Sequence, residues 1–126
     1  MPRERKPADP FAVVREVGLT LPGVQAEVRY DGSPVLKIGG SFMAGLATHE
    51  SAEPQTLVVR CDVEEREWLI ADAPDTYYVT DYYRPYPLVL VRLIRVDREA
   101  LADLLAVSRR LTLSKVRHTS PQFRRH

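Results

Sequence analysis

The segment Thr76–Leu93 (TYYVTDYYRPYPLVLVRL) constrains the fold of this chain more than any other. It contains five of the chain's six tyrosines and two of its prolines, and then becomes a run of apolar residues. Because the two prolines lack backbone N–H donors, we expect Asp81–Pro87 to be irregular. The run Leu88–Val96 is apolar at nearly every position except Arg92 and Arg95. This pattern predicts a strand that is covered on both faces for much of its length.

The N-terminal half of the chain predicts one helix followed by an antiparallel meander. Asp9-Pro10 indicates a helix start, because aspartate caps a helix and proline is tolerated at its first position. Apolar residues then recur at helical spacing until Pro22-Gly23 ends the helix. Gly39-Gly40 predicts a two-residue hairpin, since both positions of a type I′ turn favour positive φ, and Gly45 indicates a bulge. Short apolar runs bounded by turn residues predict four strands: Val24–Val28, Val35–Ile38, Phe42–Ala47 and Thr56–Cys61.

The second half predicts two further helices around the apolar strand. Asp62 and Glu65 have the spacing of a capping box, in which each side chain bonds the other residue's backbone N–H. The short helix that they open is stopped by Ala73-Pro74, and Tyr77–Thr80 then forms a short strand or extended segment. Asp97 caps a last helix, whose apolar residues repeat at three and four as far as Leu111. The order helix, four strands, helix, two strands, helix predicts an α+β fold with a mainly antiparallel sheet and helices packed on it.

The composition predicts one globular domain and no membrane partner. The chain has 126 residues and no apolar run near the roughly 20 residues of a membrane span. We expect a charged N-terminal extension at residues 1–9, a single domain at residues 10–117, and a basic tail at residues 118–126. The extension has no apolar core, so it is not a secretory signal, and Cys61 is the only cysteine. These features together favour a cytoplasmic location.

Four segments carry a family resemblance: REVGLTLPGV (Arg15–Val24), DGSPVLKIGGSFMAGL (Asp31–Leu46), LVVRCDVEERE (Leu57–Glu67) and YYVTDYYRPYPLVLVRL (Tyr77–Leu93). In this order they resemble the MmcQ/YjbR family, over about residues 10–117. The resemblance implies a compact fold similar to CyaY-like domains, and DNA binding through a double-wing surface formed by the sheet and its loops. It implies no catalytic residues.

The chain departs from the pattern of that family at two positions. Tyr82 stands where a histidine is common, and Ser41 stands where a lysine usually follows the hairpin glycines. The second change removes a positive charge from the tip of one wing, which weakens the expected attraction to phosphates.

The residue types that support catalysis or metal binding are sparse in this chain. The residues His49, His118, His126 and Cys61 show no metal-ligand spacing, so we expect no metal and no cofactor. Gly39-Gly40 lacks the lysine and flanking glycines of a phosphate-binding loop. Cys61 sits at a strand-to-helix junction, where helix N–H groups stabilise a thiolate, but the acidic residues beside it oppose one. We therefore expect a protein that is not an enzyme.

The tyrosine cluster is the strongest candidate for a binding site. Tyrosine has a flat apolar face and a hydroxyl group, so it can stack on bases or contact a protein partner. We expect Tyr82, Arg84 and Tyr86 to face outward. In the competing interpretation, Tyr77, Tyr78 and Tyr83 complete the core and place their hydroxyl groups at its rim.

Basic residues supply the second half of the binding hypothesis. Arg92 and Arg95 either pair with acids on a neighbouring strand or form a positive stripe with Arg29, Lys37 and Arg60, and the sequence leaves both open. From Leu104 onward the chain has no acidic residue. The leading hypothesis is a DNA-binding module that uses Lys37, Tyr82, Arg84, Tyr86, Arg92, Arg109, Arg110, Lys115 and Arg117. The alternative is a protein-interaction or small-ligand-binding domain in which the tyrosine loop lines a groove.

Overall fold

The elements follow the predicted order. The computed structural model describes residues 9–119, with side chains to residue 115. Most of the expected N-terminal extension and C-terminal tail therefore lies outside the described residues. The helices and strands are α1 (Ala12–Gly18), β1 (Val24–Val28), β2 (Pro34–Ile38), β3 (Ser41–Leu46), β4 (Thr56–Arg60), α2 (Val63–Asp72), β5 (Tyr77–Tyr78), β6 (Leu88–Arg92) and α3 (Arg98–Thr119). The α+β class is confirmed.

All six strands form one antiparallel sheet in the order β1-β2-β3-β4-β6-β5. The hairpin between β2 and β3 has the predicted turn, with φ of +57° at Gly39 and +77° at Gly40. Strand alternation gives the sheet two faces. The helix face carries Leu36, Ala44, Leu57, Val59, Val89 and Val91 beneath the helices. The outer face carries Lys37, Phe42, Val58, Arg60, Leu90 and Arg92 on the opposite side.

The main core lies between the helix face and the helices. Phe11 and Val14 from the start of the chain meet Leu101 and Leu105 of α3, and all four are almost completely buried. The predicted repeat of α3 supplies this contact, because residues three and four apart share one side of a helix. The buried Ser108 hydroxyl donates to the Met43 carbonyl at 3.3 Å, which fixes α3 against β3.

Over β4 and β6 the outer face is covered as well. Val58, Leu90 and the ring of Tyr83 form a second, smaller cluster there, beneath the segment that links β5 to β6. Strands β4 and β6 are therefore buried on both faces, as the apolar run indicated. The strand is shorter than predicted, since β6 ends at Arg92 and the chain turns immediately afterwards.

Two local predictions were wrong. Asp62 stands at the N-cap of α2, but its side chain makes no capping hydrogen bond. Because Asp62 is exposed, water can satisfy its carboxylate, and its backbone carbonyl accepts the first helical bond from Arg66. The bulge is also not at Gly45: Leu36 pairs with Ala44 and Lys37 with Phe42, so Met43 is the extra residue.

The other helix starts agree with the sequence more closely. The Asp97 carboxylate accepts the Ala100 N–H at 2.8 Å, the predicted cap of α3. The Asp9 carboxylate accepts the Phe11 N–H at 3.0 Å, and the assigned helix begins one residue later, at Ala12. Helix α3 continues beyond the apolar repeat to Thr119.

Gly45 is required for close packing on the outer face. A Cβ atom there would lie 2.8 Å from both Arg29 Nη2 and Val35 Cγ1. We expect Gly45→Ala to lower the free energy of unfolding by about 1–3 kcal/mol, the usual cost of overpacking. Gly39→Asn is the control, because asparagine suits that position of a type I′ turn, and it should change stability by less than about 0.5 kcal/mol. Urea denaturation measures both, and equal effects would contradict this account.

Candidate nucleic-acid interface

Two exposed tyrosines and a partly exposed histidine form a compact group on the outer face, here called the aromatic ridge: His49, Tyr82 and Tyr86. The imidazole of His49 stacks on the ring of Tyr82, with ring centroids 3.5 Å apart and planes within 6°. The Tyr86 ring lies 6.4 Å from Tyr82, tilted by 49°. Tyr82 and Tyr86 are each 50% exposed, which agrees with their predicted outward orientation.

Tyr83 anchors the ridge from below. It is buried, and its ring meets that of Tyr82 edge to face at 4.9 Å. Its hydroxyl oxygen accepts the backbone N–H of His49 at 3.2 Å. One tyrosine therefore fixes both the segment that carries it and the loop that follows β3.

Polar contacts join the same two segments. The Ser51 backbone N–H donates to His49 Nδ1 at 3.1 Å, and the Ser51 hydroxyl lies 2.9 Å from the same nitrogen. The Ser51 and Thr80 hydroxyl groups are hydrogen-bonded at 2.9 Å. The position of the imidazole against Tyr82 is thus set by neighbouring groups.

Arg66 of α2 holds the base of the tyrosine segment. Its side chain is 3% exposed, and Nη1 donates to the carbonyl oxygens of Arg84, Tyr86 and Leu88 at 3.2, 3.0 and 3.2 Å. Its Nε has no hydrogen bond and lies 3.5 Å from a Glu67 carboxylate oxygen. Because the two prolines prevent regular strand pairing, the buried guanidinium supplies donors that a neighbouring strand would otherwise provide.

The remaining tyrosines of the segment face inward or stand at the edge. Tyr77 packs into the main core, and burial raises the pKa of its hydroxyl group. The Tyr78 hydroxyl accepts the Glu53 N–H at 2.8 Å and bonds the Thr56 hydroxyl at 2.6 Å. The cluster is therefore divided: Tyr77, Tyr78 and Tyr83 support the fold, and Tyr82 and Tyr86 face outward.

The Arg92 side chain makes its hydrogen bonds to other groups of the same domain. Its guanidinium makes two 2.8 Å hydrogen bonds to the Glu53 carboxylate and further bonds to the carbonyls of Pro74 and Asp75, and it lies over the Tyr78 ring. The bond to Arg92 holds the pKa of Glu53 below its ordinary value and raises that of Arg92. Arg92 is therefore paired with an acidic residue, as one of the two interpretations held. That residue, Glu53, lies in the loop before β4 and not on a neighbouring strand.

Three other cations share the outer face: Arg29, Lys37 and Arg60. The Arg60 Nε donates to the Phe42 carbonyl at 2.9 Å, and Arg29 Nη1 donates to the Ser33 hydroxyl and the Leu46 carbonyl. These acceptors are neutral, and among the described side chains neither guanidinium forms an ion pair, although the charge of Arg29 helps to lower the pKa of the nearby Asp31. Lys37 lies 3.5 Å from the Glu27 carboxylate in a partly exposed pair. Four of the five suggested positions of the positive stripe therefore lie on the outer face, Arg29, Lys37, Arg60 and Arg92, but Lys37 and Arg92 are paired with carboxylates.

Of the remaining predicted site residues, Arg84 stands near this surface and those of α3 do not. Arg84 is exposed beside the ridge and lies 3.7 Å from the Asp81 carboxylate. Arg109 donates to the Pro22 carbonyl at 2.8 Å, and Arg110 and Lys115 are exposed on α3, which packs on the opposite face of the sheet. The side chain of Arg117 lies outside the described residues. The aromatic and C-terminal halves of the hypothesis are thus separated by the sheet.

Other features give no sign of activated chemistry. Burial is the main cause that raises the pKa of the Cys61 thiol to about 12, so it is not a reactive thiolate. Residues 9–119 contain no cluster of three or more histidine, cysteine or acidic side chains that could hold a metal ion. In the same part of the chain, no helix is both long and apolar enough to cross a membrane. A surface groove of about 530 Å³ on α2 is lined by Trp68 and three carboxylates, which repel phosphates.

Comparison with known proteins places this architecture in a family. The model of the YjbR family matches residues 19–111. The chain belongs to the YjbR family. None of the curated proteins compared with the chain matches it.

A solved structure shares the fold of this YjbR chain. It is the crystal structure of Deinococcus radiodurans protein DR2400, whose domain is described as DUF419. It is similar with a TM-score of 0.65 at 25% sequence identity, over 82% of this chain and 78% of that one. The predicted family resemblance is therefore confirmed, and its matched region contains the whole outer face.

The role of Arg66 can be tested by removing its charge. We expect Arg66→Met to lower the free energy of unfolding by about 2–4 kcal/mol, because three carbonyl groups lose their donor. Arg84→Met, at an exposed arginine on the same segment, should cost less than about 0.5 kcal/mol. Urea denaturation compares the two variants, and a loss no larger than that of Arg84→Met would refute the role.

The Glu53–Arg92 pair should make stability depend on pH. Because folding lowers the pKa of Glu53, the pair's contribution is complete above the ordinary value of 4.5 and is lost as pH falls through the folded value. Glu53→Gln should therefore reduce stability most near neutral pH, and its difference from the wild type should shrink in acid. Thermal unfolding across this range measures the difference. Glu50→Gln, on the same loop, is the control and should show a smaller pH-dependent difference.

Proposed function

We propose that this YjbR chain is a non-enzymatic nucleic-acid-binding domain that accepts an unpaired strand on its outer face. Bases stack on the aromatic ridge, and phosphates lie against Arg29 and Arg60. One observation carries the proposal: a partly exposed, internally braced group of aromatic rings shares a sheet face with Arg29 and Arg60, whose guanidinium groups donate to neutral acceptors. Aromatic platforms beside basic surface are the usual means of holding single strands without strict sequence preference.

The bracing of the ridge favours stacking. A free tyrosine side chain loses rotamer freedom when a base binds to it, which reduces affinity. Here the His49 ring and the edge of Tyr83 already restrict Tyr82. A base that meets Tyr82 therefore encounters a ring that is held in place before binding.

The register of the sheet brings a cation close to the ridge. Arg60 of β4 lies directly opposite Leu88 of β6, and both side chains point to the outer face. Tyr86 precedes Leu88 by two residues, so the tyrosine segment leaves the sheet beside Arg60. Arg29 lies over Phe42 in the direction of β1, with its guanidinium 5.8 Å from the ring centroid. A strand that extends from Tyr86 toward β1 would pass both charges.

An unpaired strand fits this surface better than a duplex. Stacking on exposed rings requires bases that are not paired, whereas duplex binding depends chiefly on many phosphate contacts. The outer face offers few such contacts, because Arg92 and Arg84 have carboxylate partners and Ser41 stands at the hairpin tip. The basic residues of α3 lie on the other side of the sheet and would add only non-specific attraction.

The second candidate is the protein-interaction or small-ligand-binding domain, with the ridge as its contact surface. It is favoured by the observation that two of the predicted site arginines are already paired: Arg84 with Asp81, and Arg92 with Glu53. Tyrosine is common at the energetic centres of protein interfaces. The two candidates differ in their response to salt, since only nucleic-acid binding releases condensed counterions.

The test is fluorescence anisotropy of labelled single-stranded and duplex DNA and of single-stranded RNA, with the full chain at several salt concentrations. We expect single strands to bind, and Tyr86→Ala to weaken binding by about 5- to 100-fold, the range for loss of one stacked base. Trp68→Ala removes an aromatic residue of α2 that is even more exposed, 63% against 50%, and should leave affinity unchanged.

The salt dependence tests the phosphate contacts. Each contact to a single strand adds about 0.7 to the slope of log K against log salt, so Arg60→Gln should reduce the slope by about that amount. Arg110→Gln, on the helix side, is the matched control and should leave the slope nearly unchanged. No binding at low salt would refute the proposal. Binding of a protein or small molecule that responds to Tyr86→Ala but hardly to salt would support the second candidate.

A further inference from the structure

Strand β1 is an open edge of the sheet. In the part of the chain that the structure describes, it pairs only with β2, and its residues 25–28 are all exposed. The opposite edge is protected by its shortness, because β5 has two residues. Open edges invite pairing with another strand, and proteins commonly block them with proline, lysine or a bulge. Strand β1 (VQAEV) contains none of these.

The hydrogen-bonding pattern shows which backbone groups face this edge. The Arg29 N–H donates to the Ser33 carbonyl at 2.8 Å, and the next pair is Val28 with Pro34, which has no N–H. Inward and outward groups alternate along an antiparallel strand. The N–H and C=O groups of Ala26 and Val28 therefore point away from β2.

The side chains at this edge are apolar on one face and charged on the other. Val28 is 69% exposed on the helix side of the sheet, and the Tyr30 side chain that follows is fully exposed. On the outer face, Glu27 and Arg29 bear opposite charges two residues apart. A strand with this pattern is complementary to a second copy of itself that runs antiparallel.

We propose that two copies of this chain associate through antiparallel pairing of their β1 strands, with Val28 facing Val28 of the second copy on a twofold axis. This register aligns outward-pointing backbone groups and places Glu27 of each copy opposite Arg29 of the other. The two sheets join into one continuous sheet. The association goes beyond the proposed function and shares only Arg29 with it, since the aromatic ridge lies at the other end of the outer face.

The neighbouring registers are less favourable. A twofold axis at Glu27 would set two carboxylates directly opposite each other, which is destabilising. A twofold axis at Ala26 would pair Val28 with Val24, whose N–H already donates to the Leu21 carbonyl at 3.2 Å. The axis at Val28 avoids both problems.

Sedimentation equilibrium of the full chain tests the association, at concentrations from about 5 μM to about 1 mM. We expect a monomer–dimer equilibrium. Glu27→Arg should raise the dimer dissociation constant by about tenfold or more, because it places two arginines together at each end of the pairing. Glu64→Arg makes the same charge change on α2 and should alter the constant less than about twofold. A wild type that stays monomeric, or equal effects of both variants, would overturn the proposal.

Disulfide cross-linking tests the register. In Val28→Cys the new thiols would face each other across the axis, so mild oxidation should give a covalent dimer. Val63→Cys, at an exposed valine on α2, is the control, and the buried Cys61 is common to both proteins. Cross-linking of Val63→Cys at the same rate, or a non-covalent dimer in which Val28→Cys does not cross-link, would refute this register.

Discussion

The buried guanidinium of Arg66 holds the part of the chain that no secondary structure could hold. Between β5 and β6 the backbone has two prolines within three residues, so its carbonyl groups cannot all find partners in a sheet. Arg66 reaches from α2 to two of them, at Arg84 and Tyr86, and to the carbonyl of Leu88, the first residue of β6. A single positive charge thereby fixes an irregular segment against a helix, and the aromatic ridge is built on that segment. The fold can present exposed rings here because their backbone is fixed from beneath.

The sequence predicted the elements of the fold well where one residue type had a single structural solution. Gly39-Gly40 formed the expected turn, because few other residues adopt positive φ at both positions. Prediction from the sequence failed where a residue type is compatible with several structural roles. Gly45 is required by the approach of Arg29 and Val35 and not by a bulge, and the exposed Asp62 has water as an alternative to the predicted cap.

Only part of the candidate site could be predicted from the sequence. The sequence predicted the outward orientation of Tyr82 and Tyr86, which are half exposed, but left open whether Tyr77 completes the core. Arg66 was missed, although it shares the buried side of α2 with Leu69 three residues later, and a charged residue in such a stripe is a usable signal. His49 gave no signal, because its contact with Tyr82 joins loops that are distant in sequence. The shared face of Lys37, Arg60 and Arg92 depended on strand register, which only the structure supplies.

The aromatic ridge is a discontinuous surface. Its members come from the loop after β3 and from the segment before β6, and they meet only because β4 lies between those strands and pairs with both. No short stretch of this chain contains the ridge, so its recognition properties depend on the cooperativity of the folded domain. Separation of β4 from its neighbouring strands would abolish the aromatic ridge. Displacement of the loop after β3 alone would leave Tyr82 without the His49 ring that orients it.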